Sequence, residues 1–598
     1  MSAPKTSSRR SEGEREATGR KSRRKKRKER NLNGRPSCSS TAMHPKSKRG
    51  RGELAVRLHP SLLLLASMVL VLASPSDASD ACPSYSSYAQ TRHGPFSPGK
   101  YALSSQRPAP ACRTFNSSRL ESVLASASAA IADPDLARLF TNTYPNTLDT
   151  AVKWHGAAHN NSAEELTFLI TGDINAMWLR DSTNQLHSYL PLLTPSPSND
   201  SLASLFRGAI NLQARYILTA PFCNAFQPPP ESGLAPATNG AAASDTVIPP
   251  YDPTAVFECK YELDSLAAFL HLSADYHTAT GDDAFFAAFQ WPAAVRTVLE
   301  TARAMMTPTY TPADGAVLPS PYKFSRMTTR ATETLANDGA GSPVGSGTGL
   351  IRSAFRPSDD ATLFQLLVPA NMMFATGLER AAGIMDEVEK TGGGSAGTAA
   401  EMRELASGVR AAVDKFGVVH VPVAVSRDGL ADTETIYAYE VDGFGSAAIM
   451  DDANIPSLLA APVYGFVSAT DPLYQRTRAR ILDSRVRPNG TVDVNGNPYF
   501  MRGSVISAVG GPHVGPGMAW PMASIVRILT SDDDGEIFAV LREILGSTDG
   551  LGLIHESVNA SDASRWTRQW FSWANGLFGE MILDLLDRKP DILKQNFQ

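Results

Sequence analysis

The segment Y-E-L-D-S-L-A-A-F-L-H-L-S-A-D-Y at residues 261–276 predicts an amphipathic helix. Its apolar side chains recur every three or four residues, the spacing that places them on one face of a helix. They are Leu263, Leu266, Phe269, Leu270 and Tyr276. This pattern makes the helix the expected structural unit of this part of the chain.

The same spacing extends in both directions from about residue 115 onward. It recurs in segments bounded by Gly, Pro or Asp clusters, at 285–306, 359–386, 398–416, 520–530, 535–546 and 569–587. We find no run of period-two strands alternating with helices. Together with polar motifs at helix entrances, this predicts an all-α ring of helical hairpins, with long loops that form a pocket at one end. A helical bundle without a pocket is the alternative.

Two motifs offer carboxyl groups for acid and base chemistry. F-R-P-S-D-D-A at 355–361 presents Asp359 and Asp360 at the start of a predicted helix, and L-I-H-E-S-V-N at 553–559 presents Glu556. Cleavage of a glycosidic bond needs one protonated carboxyl group for the leaving oxygen and one ionised carboxylate that acts on water or carbon. The chain can supply both, although the sequence does not choose between the two aspartates as the acid.

The motif T-G-D-I-N-A-M-W-L-R-D-S-T-N-Q at 171–185 contains Asp173, Trp178, Arg180 and Asp181. Sugars bind to such sets because their C–H faces stack on aromatic rings and their hydroxyl groups hydrogen-bond to charged side chains. Helical geometry would place the tryptophan and the second aspartate on one face. The alternative is a buried Arg180–Asp181 pair that fixes a helix entrance.

Two further acidic motifs, Y-A-Y-E-V-D-G-F-G at 437–445 and M-D-D-A-N-I-P at 450–456, contribute Glu440, Asp442 and Asp451. Their spacing does not fit a twelve-residue calcium loop, so recognition of sugar hydroxyl groups is the better interpretation. Alternatively, one acid of the second motif caps a helix that begins immediately after it.

The glycine-rich loop at 510–521 offers His513 as a hydrogen-bond donor and Trp520 as a stacking surface. A lone histidine in such a loop can equally be structural. The segment at 565–580 carries tryptophans at helical spacing, which we expect to belong mainly to the core. They are Trp566, Trp570 and Trp573.

The N-terminal region differs in charge from the rest of the chain. Residues 1–58 carry 19 Lys and Arg against 5 Asp and Glu, whereas the whole chain has a net charge of −4. We expect this region to be a disordered basic tail, or to reflect a mis-assigned start with Met43 as the true first residue. The basic run alone would suit nucleic acid.

The apolar run S-L-L-L-L-A-S-M-V-L-V-L-A at 61–73 has the length of the apolar part of a signal peptide. We therefore predict a signal peptide or an uncleaved signal anchor at 59–81, and a secreted or Golgi-lumenal protein. Nucleic acid is not expected as a partner, and a membrane is expected only if the leader stays uncleaved.

Cysteine usage agrees with an oxidising compartment. Four cysteines follow the leader and allow three pairings, of which the local choice is Cys82–Cys112 with Cys223–Cys259. Four buried thiols are the alternative. The first pair lies in an N-terminal extension at 82–114, before a catalytic region at 115–598. No C-x-x-C or H-E-x-x-H motif is present, so neither metal nor cofactor is expected. Glycosylation sequons occur at Asn116, Asn160, Asn199, Asn489 and Asn559.

Eight blocks of this sequence, in consistent order from about residue 115, resemble the metal-independent exo-α-1,6-mannosidases of glycoside hydrolase family 125. The blocks are T-G-D-I-N-A-M-W-L-R-D-S, Y-E-L-D-S-L, F-R-P-S-D-D-A, Y-E-V-D-G-F-G, M-D-D-A-N-I-P-S-L-L, G-P-H, H-E-S and W-F-S-W-A-N-G-L-F-G-E. The resemblance implies an (α/α)6 barrel whose pocket binds one terminal mannose of a glycan or oligosaccharide. It also implies metal-free hydrolysis with inversion by an Asp and a Glu.

Carried onto this sequence, the resemblance places the acid at Asp359 or Asp360 and the base at Glu556. The expected sugar-binding residues are Asp173, Trp178, Arg180, Asp181, Arg356, Glu440, Asp442, Asp451 and His513, with Arg356 ordering the loop of the acid. A retaining glycosidase, a sugar phosphorylase, or an inactive mannose-binding protein of the secretory pathway are the alternatives.

Overall fold

Helices dominate the residues that this computed structural model describes, which are 82–425, 431–483 and 496–598. The predicted basic tail, the predicted leader and the sequon at Asn489 lie outside them. The helices are α1 (Tyr85–Tyr88), α2 (Ser118–Ala130), α3 (Pro134–Thr143), α4 (Leu179–His187), α5 (Leu202–Thr219), α6 (Leu263–Thr280), α7 (Asp283–Ala288), α8 (Trp291–Ala304), α9 (Val368–Lys390), α10 (Thr398–Ala412), α11 (Pro472–Ile481), α12 (Pro521–Leu529), α13 (Asp534–Gly546), α14 (Ser572–Arg588) and α15 (Pro590–Leu593).

The helices pack in two layers. In the inner layer α9, α6, α4, α14 and α12 lie side by side in that order. In the outer layer α10 covers α9, α5 and α8 cover α6, α3 covers α14, and α13 covers α12. Consecutive helical hairpins produce such an arrangement. The predicted dominance of helices is confirmed, but the fold is not all-α, because short strands are also present.

The helix predicted at 261–276 is buried on all sides rather than on one face. Every residue from Leu263 to Tyr276 is buried. Small residues between the large apolar ones, such as Ala267 and Ala268, let the neighbouring helices α4 and α9 approach it closely. A helix that is enclosed all round belongs to the inside of a protein, and α6 lies in the middle of the inner layer.

Short antiparallel strands surround the entrances of the inner helices. The strands are β1 (Val152–Ala158), β2 (Asn161–Leu169), β3 (Met177–Trp178), β4 (Ala225–Phe226), β5 (Thr246–Ile248), β6 (Val256–Glu258), β7 (Lys323–Ser325), β8 (Leu366–Leu367), β9 (Val418–Val425), β10 (Ala431–Tyr437), β11 (Glu440–Val441), β12 (Ala447–Ala448), β13 (Phe500–Met501), β14 (Ala508–Val509), β15 (Met518–Ala519), β16 (Ser557–Asn559) and β17 (Asp562–Thr567). Strands β3, β8 and β15 lead directly into α4, α9 and α12. These strands fix the loops at one end of the inner layer.

Two predicted helix starts are wrong. Helix α9 begins at Val368 and not at Asp359, because β8 pairs with β11 immediately before it and holds the chain extended. The structure also has no helix beginning at Ala453 in its described residues. Asp451 instead accepts hydrogen bonds from the backbone N–H groups of Leu458 and Leu459, at 2.9 and 3.0 Å.

Both local cysteine pairings are formed, as disulfides Cys82–Cys112 and Cys223–Cys259. The described residues all belong to one compact unit, which includes the N-terminal segment at 82–114. That segment packs closely on the helical layers, since Leu103 is buried and the amide of Asn142 donates to the carbonyl oxygen of Ser104 at 2.9 Å. None of the helices in the described ranges is both long and apolar enough to span a bilayer.

Candidate active site

A cavity lies where the inner helices α4, α12 and α14 begin. It brings together residues that are hundreds of positions apart in the sequence, and most of them come from the polar motifs. Its lining comprises Thr171, Asp173, Ile174, Trp178, Arg180, Asp181, Pro357, Ser358, Asp359, Asn454, His513, Trp520, Glu556, Arg568, Phe571 and Trp573. The cavity therefore contains one aspartate of the S-D-D motif and the glutamate of the H-E-S motif.

The first motif reaches the cavity through a close backbone contact at Gly172. This residue has a φ of 145° and forms a bridge with Phe571, the residue before α14. A side chain there would meet the carbonyl oxygen of Trp570 at 2.6 Å, so glycine is needed at this position. The contact places Asp173 at the rim of the cavity, while β3 places Trp178 and the first turn of α4 inside it.

Asp359 is held in a left-handed backbone conformation, with a φ of 63°. Its N–H donates to the carbonyl oxygen of Arg356 at 2.9 Å, and its own carbonyl oxygen accepts from Lys260 Nζ at 2.8 Å. Its Oδ1 accepts from Trp178 Nε1 at 3.4 Å and from Asn224 Nδ2 at 3.1 Å. Aspartate tolerates this conformation better than most residues, and such strain persists where surrounding contacts determine it.

The buried guanidinium group of Arg180 faces four carboxylates, and Asp359 is one of them. Arg180 lies 2.6 Å from Glu262, 3.1 Å from Asp264, 3.4 Å from Asp181 and 3.7 Å from Asp359. Four buried negative charges around one positive charge would be very costly. This group must therefore retain protons at neutral pH.

The protons are held unequally within this group. Burial raises the pKa of Glu262 well above its ordinary value, and the charge of Asp359 and a hydrogen bond to it add to the rise. Burial alone would also raise the pKa of Asp359, but Lys260, Arg180 and the hydrogen bond from Glu262 hold it well below its usual range. Burial raises the pKa of Asp181 to about 6. Glu262 thus stores a proton directly beside an ionised Asp359.

Glu556 is held by two donors on the opposite strand of its hairpin. Its Oε1 accepts from Arg568 Nε at 3.0 Å, and its Oε2 accepts from Thr567 Oγ1 at 2.9 Å. Arg568 also donates to Asp173 Oδ1 at 2.8 Å, and it has a φ of 50°. This arginine therefore fixes Glu556 relative to the T-G-D motif.

His513 lines the cavity, while Asp360 lies behind it. His513 Nδ1 is 3.6 Å from Asp360 Oδ1, and Ser358 Oγ donates to Asp360 at 3.3 Å and to Asp452 at 2.9 Å. Burial alone would lower the pKa of His513, but Asp360, with Glu556 and Asp359 nearby, raises it to about 9. His513 is therefore a cation at neutral pH, and Asp360 contacts the cavity through it.

Several polar atoms of the cavity wall are buried without a hydrogen-bond partner among the described residues. They are Arg180 Nε, Asp181 Oδ2, Asn454 Oδ1, Trp520 Nε1 and Trp573 Nε1. Buried polar groups are normally paired, and unpaired ones that face a cavity indicate a polar ligand. The set mixes acceptors with indole donors and aromatic rings, which matches a sugar ring with several hydroxyl groups.

A sequence model of the family described as metal-independent alpha-mannosidase (GH125) matches residues 133–583. This chain belongs to the GH125 family. The resemblance deduced from the eight blocks is thereby confirmed.

The chain is 46% identical over 516 residues to the meiotically up-regulated gene 157 protein of Schizosaccharomyces pombe, a match that covers 86% of this chain and 95% of that protein. A metal-independent alpha-mannosidase of Streptococcus pneumoniae, solved in a non-productive complex with α-1,6-mannobiose, is similar in structure. It is 31% identical with a TM-score of 0.65, and the match covers 79% of this chain and 99% of that one.

Not every predicted sugar-binding residue of this GH125 chain lines the described cavity. Asp173, Trp178, Arg180, Asp181 and His513 do. The others bond to protein groups: Arg356 Nε donates to Glu440 Oε1 at 2.6 Å, Asp442 Oδ1 accepts from two backbone N–H groups of its own turn, and Asp451 accepts from two more. Their predicted contacts with sugar stay predictions, and in this structure they support the loops.

The prediction that the tryptophans at 565–580 form one helical stripe is wrong. Trp566 lies in β17, Trp570 lies in the connection, and only Trp573 lies in α14. Arg568 ends the extended strand with its left-handed backbone, which the spacing could not reveal. The expectation that at least two of the rings belong to the core is confirmed, since Trp570 is 3% and Trp573 is 1% exposed.

The sequence analysis assigned no role to four residues that hold the carboxyl groups: Asn224, Lys260, Glu262 and Arg568. For two of them, Asn224 and Lys260, the sequence did contain a signal. Disulfide Cys223–Cys259 joins the residues directly before Asn224 and Lys260, and Asn224 Oδ1 accepts from the N–H of Lys260 at 3.0 Å. The disulfide therefore positions both contacts to Asp359.

Proposed function

We propose that this protein is an exo-acting α-mannosidase that hydrolyses terminal α-1,6-linked mannose with inversion and without a metal. The observation that carries the proposal is the convergence of Asp359 and Glu556, from remote segments, on one cavity with unpaired hydroxyl-binding atoms. Membership of the GH125 family supports it, as does the similarity to a bacterial family member crystallised with α-1,6-mannobiose.

In this proposal Asp359 protonates the leaving oxygen. Its low pKa means that the proton rests on Glu262 in the free enzyme and passes to Asp359 along their hydrogen bond. The transfer is driven as the leaving oxygen gains negative charge. A carboxyl pair that shares one proton provides an acid at neutral pH, because two adjacent buried carboxylates cannot both ionise.

Glu556 acts as the base. It deprotonates a water molecule on the opposite face of the sugar ring, which requires a gap of roughly 6.5–9.5 Å between the two carboxyl groups. Arg568 orients Glu556 through a hydrogen bond of 3.0 Å from its Nε to Glu556 Oε1. The new bond forms between the water oxygen and the anomeric carbon as the glycosidic bond breaks, so the anomeric configuration inverts.

The remaining cavity residues bind the hydroxyl groups of mannose. Asp181 and Arg180 offer an acceptor and a donor at the bottom of the cavity, and His513 offers a charged donor at its side. Asp360 and Arg356 act as positioning residues, through His513 and through the turn that carries Asp359. We also propose that the helical hairpins close into an (α/α)6 ring, which the two-layered packing supports.

We further propose that the protein works in the secretory pathway, as a secreted or Golgi-lumenal glycoprotein. Its two disulfides support this compartment, since disulfides are stable in oxidising surroundings.

Proton NMR of the purified protein with α-1,6-mannobiose tests the function. We expect β-mannose as the first anomer released, followed by mutarotation. Initial release of α-mannose would instead show a retaining enzyme, phosphate-dependent release of mannose 1-phosphate would show a phosphorylase, and binding without turnover would show an inactive lectin.

A further inference from the structure

A second groove, of about 590 Å³, adjoins the catalytic cavity at Asp173, which lines both. One wall of the groove comes from the N-terminal segment, at 82–88 and 108–114. The other comes from 149–153 and 170–175. The groove has the size of an ordinary small-molecule site.

The N-terminal wall lies outside the region that defines the family, because the family match begins at residue 133. It is nevertheless firmly attached beside the catalytic glutamate. Disulfide Cys82–Cys112 joins its two strips of chain, and Gln569 Nε2 donates to the carbonyl oxygen of Ser86 at 3.0 Å. Tyr85 packs edge-on against Trp570 at 4.7 Å. Both anchor points directly follow Arg568, which holds Glu556, so the wall is fixed relative to the reacting bond.

The lining of the groove has the chemistry of a carbohydrate site. Asn175 Oδ1 is buried without a hydrogen-bond partner among the described residues, at the end of the groove next to Asp173. Ser84 and Lys153 are exposed along its length and add a hydroxyl group and a cation. Hydroxyl, amide and charged groups beside aromatic rings are the set that binds sugars through hydrogen bonds and stacking.

We propose that this groove binds the leaving-group side of an oligomannoside from the second sugar beyond the scissile bond onward, a part that mannobiose lacks. The inference rests on the proposed mannosidase function. An exo-acting cavity holds only the terminal sugar, so the rest of the chain must extend out of it, and the groove adjoins the cavity at Asp173. The N-terminal segment therefore makes long oligomannosides better substrates than the disaccharide.

The experiment compares kcat/KM for α-1,6-mannobiose and α-1,6-mannotetraose in the full-length protein. We expect the tetraose to be at least tenfold better for the wild type. Ser84→Trp fills the groove, so it should lower kcat/KM for the tetraose at least tenfold and leave that for mannobiose within twofold. Ser87→Trp is the matched control, because Ser87 is an exposed serine of the same short helix that does not line the groove.

Lys153→Ala is a second variant that needs no new side chain to fit, and it should lower kcat/KM for the tetraose alone by about threefold. Equal wild-type efficiency on the two substrates, or equal losses on both in Ser84→Trp, would overturn the groove proposal while leaving the function intact. Absence of hydrolysis of either substrate by the wild type would overturn the proposed function, and the groove proposal with it.

Discussion

Two polar cavities lie along the same inner helices, and their side chains are paired very differently. The catalytic cavity lies where α4 and α14 begin. The second cavity lies about 10 Å further along these helices, two turns after Asp181 and Trp573. It is lined by Thr183, Asn184, His187, His271, Asp275, Met373, Thr376, Glu379, Arg380, Arg410, Ile455, Val463, Tyr464, Gly465, Leu577 and Glu580.

The charges of the second cavity satisfy one another. Arg380 lies 2.6 Å from Asp275, and His187 lies 3.2 Å from Glu580 and 3.8 Å from Asp275. Burial lowers the pKa of His271 to about 4, so this histidine stays neutral. None of the polar side-chain atoms that line this cavity is buried without a hydrogen bond among the described residues. The charged groups of the second cavity therefore stabilise the fold by pairing with one another.

The catalytic cavity has the opposite balance. Arg180 is close to more carboxylates than it can neutralise, and several buried donors and acceptors of the lining have no hydrogen-bond partner among the described residues. Such an arrangement reduces stability and is kept where a substrate completes it. Burial and charge are thus common to both cavities, and incomplete pairing separates the one that does chemistry.

The largest expected difference between the two cavities is the effect on kcat of replacing one carboxylate by an amide in each. Glu556→Gln removes the base, and we expect kcat on α-1,6-mannobiose to fall roughly a thousandfold, because general-base catalysis contributes that order of rate enhancement. Glu580→Gln is the matched control in the second cavity. It should leave kcat within about twofold, because Glu580 hydrogen-bonds to His187 and Ser188 and does not line the catalytic cavity. Similar losses in both variants would remove the distinction between the two cavities.

The two aspartates of the S-D-D motif should also differ. Asp359→Asn should lower kcat on mannobiose roughly a hundredfold or more, because the leaving oxygen loses its proton source. Asp360→Asn should cost only about tenfold, since Asp360 acts through His513. An activated aryl α-mannoside distinguishes the roles, because its leaving group needs no proton and should restore the rate of Asp359→Asn but not that of Glu556→Gln. A lack of rescue would exclude Asp359 as the acid.

Local sequence patterns predicted the helices well and the site only in part. The apolar repeat at 261–276 indicates burial directly, so the helix was predicted there, and the observed α6 spans Leu263–Thr280. Asp359 was misplaced because its left-handed conformation is imposed by Trp178, Asn224 and Lys260 through contacts across the fold. No periodic pattern contains that information.

The acid could not be chosen from sequence for a related reason. Asp359 and Asp360 are adjacent and chemically identical, and only the turn at Arg356 sends one into the cavity and the other behind His513. The cysteine positions predicted part of the site more reliably. Their pairing was predictable, and Asn224, the residue after one of them, binds Asp359.

Each cavity contains a histidine with a pKa of about 9, which is His513 in the catalytic cavity and His187 in the second. The pH dependence of activity and of stability therefore compares the two cavities. In the catalytic cavity, His513 is a cation until pH approaches its pKa of about 9. We expect kcat/KM to fall as pH rises through about 9, because the charged donor to the sugar is lost. His513→Gln should lower kcat/KM about tenfold at pH 7 and remove this alkaline decline. An unchanged decline in the variant would assign it to another group.

His187, in the second cavity, should affect stability instead of activity. Burial alone would lower its pKa, but Glu580 and Asp275 raise it from 6.5 to about 9. A raised pKa in the folded state means that the stabilisation is fully present below pH 6.5 and is lost as pH rises through about 9. Because 35% of the side chain is exposed, solvent screening should limit the loss to about 1 kcal/mol. Urea unfolding at several pH values measures it, and the free energy of unfolding of His187→Gln should decline less than that of the wild type over this interval. Parallel curves would contradict the assignment, as would a change in kcat/KM of more than about twofold.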